Sequence, residues 1–305
     1  MNTTKRFSVF YKLFSLLSVV RGYNILVLVI AQYLAALFVF STNKSWRAVL
    51  FDYQLLFIVL ASVFVVSAGY IINNFYDVKA DLINRPVKSN IDAYVSQKTK
   101  LEIYFICNVL AVFFGGFISW KAAMFFAVYI FSIWFYSHKL KKFPFVGLLA
   151  ASVLTILPFF AVFIYYKNFT KIIFVHASFL FFVLLLKQLI KDLSNLRGAF
   201  VNNDLTFPVK YGERKTRKLG ILFVLLTFIP AYGLANYSAV GGMKYYFLIS
   251  IIVLSFIGVF LWKANLKKHY LLLHTLLKLM LLAGILSLLF VDPSILVERV
   301  IDKLN

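Results

Sequence analysis

The 305-residue chain is 62% hydrophobic and only 14% charged, where a soluble domain is nearer a quarter charged, and it carries a formal charge of +21. Apolar runs of about 20 residues, long enough to cross a hydrocarbon core as helix, recur along it. This excludes a soluble enzyme, and because the runs are continuous rather than alternating it also excludes a transmembrane β-barrel.

Residues 1–21 carry Lys5, Arg6, Lys12 and Arg21 between short apolar stretches. That interruption argues against a cleavable signal and for an interfacial helix lying on the bilayer. Nine spans follow, predicted at 22–41, 53–72, 101–119, 122–137, 144–165, 171–190, 219–237, 245–262 and 270–290. Pro158 and Pro230 fall inside the fifth and seventh spans and should kink them. Cys107, the single cysteine, has no disulfide partner, and the four histidines lack the spacing of zinc or haem ligands. The expectation is an all-α polytopic membrane protein: one domain over 1–305, its helices bundled around a central cavity open to the cytoplasm, with 73–100 and 187–218 as cytoplasmic active-site loops.

Charge sets the orientation. Of the 32 Lys and Arg, 23 fall in the N-terminus and every second connection, and 8 in the alternate set. The positive-inside rule then predicts a cytoplasmic N-terminus and an external C-terminus, as in a bacterial-type inner membrane. Topology and contact with anionic lipid account for the charge without nucleic acid. Only eleven acids are present, and six of them (Asp77, Asp81, Asp92, Asp192, Asp204 and Glu213) lie in two of the basic connections. None sits deep in a span, which disfavours an ion-coupled transporter. Lys278 and His274, four apart in the last span, read as packing or snorkelling groups.

The first acidic connection reads "NNFYDVKADLINRP", residues 73–86. A helix continuing past Ile72 would align Asn73, Asp77 and Asp81 on one face. Paired carboxylates at that spacing repel, and Mg²⁺ suits one or two carboxylates plus substrate phosphate oxygens. The blander reading is a solvated helix end. The second connection, "KQLIKDLSNLRG" (187–198), brings Lys187, Lys191 and Asp192 to the same side. Two such clusters could clamp a diphosphate, with Arg85, Lys88, Lys139 and Lys191 neutralising its oxygens.

The first of these stretches resembles the N-D-x-x-D-x-x-x-D-x-x-N-R-P signature of the UbiA-type intramembrane prenyltransferases. "YSHKLKKFPFVG" (136–147) is similar to that family's Y-S-x-x-L-K-x-x-P-x-x-G segment, and "VRGYN" (20–24) to its Arg-x-x-Asn entrance to span one. "KDLSNLRGAFVNNDLTFPVKYG" (191–212) resembles its second signature, K-D-x-x-D-x-x-G-D followed by T-x-P-V-x-x-G. The sequence departs from the pattern at Asn74, Asn195 and Ala199, where the family has carboxylates, and at Leu148, where it often has Asn.

The resemblance implies Mg²⁺-dependent transfer of a prenyl group from a polyprenyl diphosphate to a lipid or aromatic acceptor within the membrane. The glyceryl-phosphate ether branch looks nearest, with the aromatic or quinone branch second. It implies catalytic roles for Asp77, Asp81, Asp192 and Lys191. Asn73, Arg85, Lys88, Lys139 and Tyr136 would bind the diphosphate. Metal would be held by Asn73, Asp77, Asp81, Asp192 and Asn195. Because Ala199 cannot bind a cation and Asn195 offers only a neutral carbonyl, the other expectation is a homologue that binds prenyl lipid or a partner protein without turnover.

Overall fold

In a computed structural model the backbone is described for residues 2–41 and 44–291, with side chains from Tyr11 onward. The expected C-terminal position lies outside the described residues. The described residues are mostly helical, with no strand among them, and they include nine helices long and apolar enough to span a membrane. Their positions follow the hydropathy pattern closely.

Helix α1 (Asn2–Val19) precedes the first span, α2 (Gly22–Ala35), which runs on into a π-helical turn, Ala36–Phe40. On α1, Ser15 and Val19 are buried whereas Leu13, Phe14 and Leu17 are exposed. A short helix, α3 (Trp46–Leu50), leads to α4 (Tyr53–Tyr76), whose start is capped by the Asp52 carboxylate accepting from the Gln54 and Leu55 amides. Then come α5 (Val78–Asn84), α6 (Pro86–Asp92), α7 (Gln97–Ile118), α8 (Trp120–His138) and α9 (Pro144–Tyr166). The described residues continue with α10 (Lys171–Ser194), α11 (Leu196–Val201), α12 (Phe207–Ala235), α13 (Lys244–Lys263) and α14 (Lys267–Ser287). The segments expected as loops, 73–100 and 187–218, are therefore mostly helix. The seventh span begins at Phe207 rather than 219, with a break at Gly212, whose φ of 79° suits a residue without Cβ.

Two apolar cores hold the bundle. One joins α2, α4, α7, α8 and α9 through Ala35, Leu55, Ala111, Phe126 and Val162. The other joins α10, α12, α13 and α14 through Leu186, Leu189, Leu254 and Leu273. Polar groups inside the bilayer must find partners within the protein. Pro158 lacks an amide hydrogen, which frees the Leu154 carbonyl, and Tyr129 donates to it at 2.8 Å. Gln32 on α2 donates to the Pro158 carbonyl (2.9 Å) and to Ser62 on α4 (3.1 Å). These bonds tie α2, α4, α8 and α9 together around Pro158.

Candidate active site

Helix α4 stops at Tyr76 because Asp77 takes φ −98°, ψ 8°, and α5 starts at the next residue. The four-residue spacing survives the break. The Asp77 amide donates to the Asn73 carbonyl (2.9 Å), that of Asp81 to Asp77 (2.8 Å) and that of Arg85 to Asp81 (2.8 Å). Asn73, Asp77, Asp81 and Arg85 line one polar cavity.

The opposite wall repeats this construction. Helix α10 stops at Ser194, Asn195 takes φ −104°, ψ 12°, and α11 follows. Lys191, Asp192 and Asn195 line the same cavity. Gln188 orients this group: its amide donates to Asp192 (3.0 Å) and its carbonyl lies 3.5 Å from the Lys191 ammonium. The end of α8 and the α8–α9 connection form a third wall with Tyr136 and Lys141 respectively. There Ser137 donates to the Asn73 side-chain oxygen at 2.7 Å. That oxygen keeps a second lone pair.

Helices α5 and α11 are held face to face. A Cβ on Gly198 would overlap the Asn84 amide and lie 2.7 Å from the Ala80 carbonyl. The Asn84 amide donates to the Asn195 carbonyl (3.2 Å). Asn84, the Asn of the N-R-P run, thus fastens the two signature segments together.

Lys88 lines the cavity, but its ammonium is paired with Asp92 at 2.5 Å. Asp92, only 2% exposed, also accepts from Ser18 (2.7 Å) and from Asn74 (3.0 Å), and Lys100 donates to the Asn74 oxygen (3.0 Å). Lys139, expected on the diphosphate, is exposed and does not line the cavity. Lys141 takes that place, contacting Asp77 and lying 3.9 Å from Asp204. The turn at Leu140–Lys142 carries the chain from one helix to the next, so a two-residue shift changes which lysine faces inward.

Sequence reasoning also left Arg21, Gln188, Asp204 and Thr206 out of the site, and all four line the cavity. Arg21 and Lys141 had a signal, since both occupy basic positions of the quoted family segments. Asp204 had none, because it is off the register of the second signature. Arg21 takes a left-handed backbone (φ 54°), and its guanidinium lies 4.8 Å from the centre of the Tyr70 ring. Burial, together with the repulsion of Arg21, pulls the Arg85 guanidinium below its usual range, and Asp81 and Asp77 oppose this. Burial pushes the Asp204 carboxyl up, against the donors Asn202 and Lys141.

The donor set suits a hard cation. Three buried oxygens of lining residues have no protein partner: Asn84 Oδ1, Asp204 Oδ1 and Thr206 Oγ1. Hard divalent ions take oxygen ligands. Among the described residues no three carboxylate, imidazole or thiol groups already gather as a ligand cluster. A shared ion would therefore complete its shell with substrate oxygens, as Mg²⁺ does in phosphate-handling sites.

Fold and cavity together define a multi-pass helical membrane protein with a charged pocket between two broken spans. Residues 28–282 match the model of the UbiA prenyltransferase family, and the chain belongs to that family. It is a membrane prenyltransferase. A digeranylgeranylglyceryl phosphate synthase from Methanobrevibacter smithii is 27% identical over 252 residues, 78% of this chain and 83% of that one. One from Thermococcus sibiricus is 27% identical over 199 residues, 65% of this chain and 68% of that one. Among solved structures, one concerned with digeranylgeranylglyceryl phosphate synthase in membranes superposes with a TM-score of 0.67 at 18% identity, covering 92% of this chain and 98% of that one. A UbiA homologue from Archaeoglobus fulgidus, bound to GPP and Mg²⁺, superposes with a TM-score of 0.66 at 13% identity, covering 90% of this chain and 99% of that one.

Proposed function

We propose that this chain transfers a prenyl group from a polyprenyl diphosphate to a lipid acceptor that itself carries a phosphate. The product class is that named by its relatives, a digeranylgeranylglyceryl phosphate. The observation that carries this reading is the excess of cations that lack an acid. Arg21 and Arg85 line the cavity, and Lys187 lies within electrostatic reach of Lys191, Lys278 and Arg21. None of Arg21, Arg85, Lys187 or Lys278 forms an ion pair among the described residues. Asp81 and Asp77 lie within electrostatic reach of Arg85, whereas Arg21, Lys187 and Lys278 have no ion-pair partner among the described residues; these cations favour an anionic acceptor in addition to the diphosphate, and a neutral acceptor would leave them uncompensated.

Asp77 and Asp81, with Asn73, would hold Mg²⁺ on one wall and Asp192 would do so on the other. The ion supplies Lewis-acid stabilisation of the departing diphosphate. Lys141, Lys191 and Arg85 offset the negative charge that grows as the allylic C–O bond breaks. Tyr136 contributes an aromatic wall where the allylic carbon would lie. The acceptor hydroxyl oxygen bonds to the prenyl carbon, and diphosphate and a proton leave. We place the cavity and N-terminus on the cytoplasmic side and the C-terminus outside, in a bacterial-type inner membrane. The positive-charge asymmetry of the connections supports that orientation.

Diphosphate release by the purified protein in detergent tests this reading. Geranylgeranyl diphosphate, Mg²⁺ and either geranylgeranylglyceryl phosphate or its dephosphorylated form would be supplied. Release with the phosphorylated acceptor, reduced in Arg21→Gln, is the expected result. Equal use of the neutral acceptor would overturn the acceptor assignment. Folded protein that releases nothing with any acceptor would point instead to lipid binding without turnover.

A further inference from the structure

The two walls of the cavity are built alike but armed differently. On the first, the break residue and the residue four further on are Asp77 and Asp81. On the second, the equivalent places are Asn195 and Ala199. All four line the cavity. The second wall is thus short of negative charge where it faces the first, and Ala199 leaves room beside it.

Asp204 lines the same cavity and reaches it from a different segment. The chain leaves α11 at Val201, turns through Asn203 in the left-handed region (φ 55°), and brings the Asp204 amide back to donate to the Ala199 carbonyl at 2.9 Å. The residue is only 6% exposed. One carboxylate oxygen accepts from Asn202 at 2.9 Å and lies 3.9 Å from the Lys141 ammonium. The other oxygen, Oδ1, is buried with no protein partner, although the residue lines the cavity. An unpartnered buried carboxylate oxygen is costly unless something the protein binds satisfies it. The Lys141 ammonium contacts Asp77 and stands between it and Asp204, so the gap between the two walls already holds a positive charge.

We propose that Asp204 supplies the second wall's missing carboxylate, so that this chain binds the divalent cation of its diphosphate substrate through a loop aspartate beside position 199 instead of a helix aspartate at it. Asp192, within electrostatic reach of Asp204, is the other acid of that wall. This rests on the diphosphate reading above. It makes Ala199 an exchange of position rather than a loss of function, since the same charge reaches the same space from the 202–206 segment.

The test is Mn²⁺ binding followed by electron paramagnetic resonance on the full-length protein in detergent, with an unreactive geranylgeranyl thiolodiphosphate present. Thermal unfolding of each variant reports on the fold. Asp204→Asn keeps the oxygen that accepts from Asn202 but removes the charge. It is expected to weaken Mn²⁺ binding by at least the roughly 10–100-fold that loss of a supporting outer-shell group costs, at an unchanged unfolding temperature. The double variant Ala199→Asp/Asp204→Asn, which returns an acid to the helix, is expected to recover binding. Unchanged Mn²⁺ binding in Asp204→Asn, with binding lost in Asp77→Asn, would overturn the inference and leave the diphosphate reading standing. Weakened binding in Asp204→Asn without recovery in the double variant would also overturn it, making Asp204 structural. Wild-type protein that binds no Mn²⁺ would overturn both readings.

Discussion

The span that ends at Tyr76 and the span that ends at Ser194 finish in the same way and carry different chemistry. Each stops at a residue near φ −100°, ψ 10°, and each resumes as a short helix against the other's partner. At equivalent places the first wall has Asn73, Asn74, Asp77 and Asp81, and the second has Lys191, Asp192, Asn195 and Ala199. Where one wall has its acids, the other has amides or alanine. The backbone break is thus a geometric device independent of the side chain placed on it, and the acids can be redistributed as long as their charge reaches the cavity. The departures also differ in kind. Asn74 is bound into a buried network with Asp92 and Lys100, so a carboxylate there would face Asp92. Ala199 faces the cavity and has Asp204 beside it.

Substitutions can break or sharpen this comparison. The largest effect should come from the acid-bearing wall: Asp77→Ala is expected to cut Mg²⁺-dependent diphosphate release at least about 100-fold, the loss typical of one charge-stabilising group. Retention of activity within tenfold would mean the walls share the load differently. The next concerns the joint between them. Gly198→Ala should destabilise the protein by about 1–3 kcal/mol in thermal unfolding, since its methyl would collide with Ala80 and Asn84. Gly116→Ala, where a Cβ meets nothing within 4 Å, is the neutral control. Asn74→Asp restores the family residue in the wrong surroundings. It should cost about 1–3 kcal/mol of stability, the penalty of an ill-matched buried polar group, and should not raise diphosphate release. The smallest change should follow Asn203→Gly, an exposed left-handed position, with stability altered by no more than about 0.5 kcal/mol.

Hydropathy alone placed the nine spans to within a few residues, except at α12. There the basic stretch 210–218 hid a helix start that Thr206 and Pro208 mark. Motif spacing brought Asn73, Asp77, Asp81, Arg85, Lys191, Asp192 and Asn195 to one place because i→i+4 hydrogen bonding carries through the break. Local periodicity is a property of neighbouring residues, so it was legible in sequence. Lys139 and Lys141 were not distinguishable that way, because they sit in a turn where no fixed period applies. Lys88 looked free in sequence, yet it pairs with an acid one turn on whose burial depends on Ser18 and Asn74.

The sequence by itself determined that this is a multi-pass helical membrane protein, with nine spans among the described residues, two polar helix ends and a deficit of acids on the second. Its long apolar runs have no alternative to helix in a bilayer, and most of its charges lie in the connections between them. The tertiary structure alone decided which lysine enters the cavity, that Asn84 and Gly198 lock the walls together, and that Asp204 returns to the side of Ala199. Those outcomes depend on where a turn sends the chain and on what packs against it, and residue spacing carries no record of either.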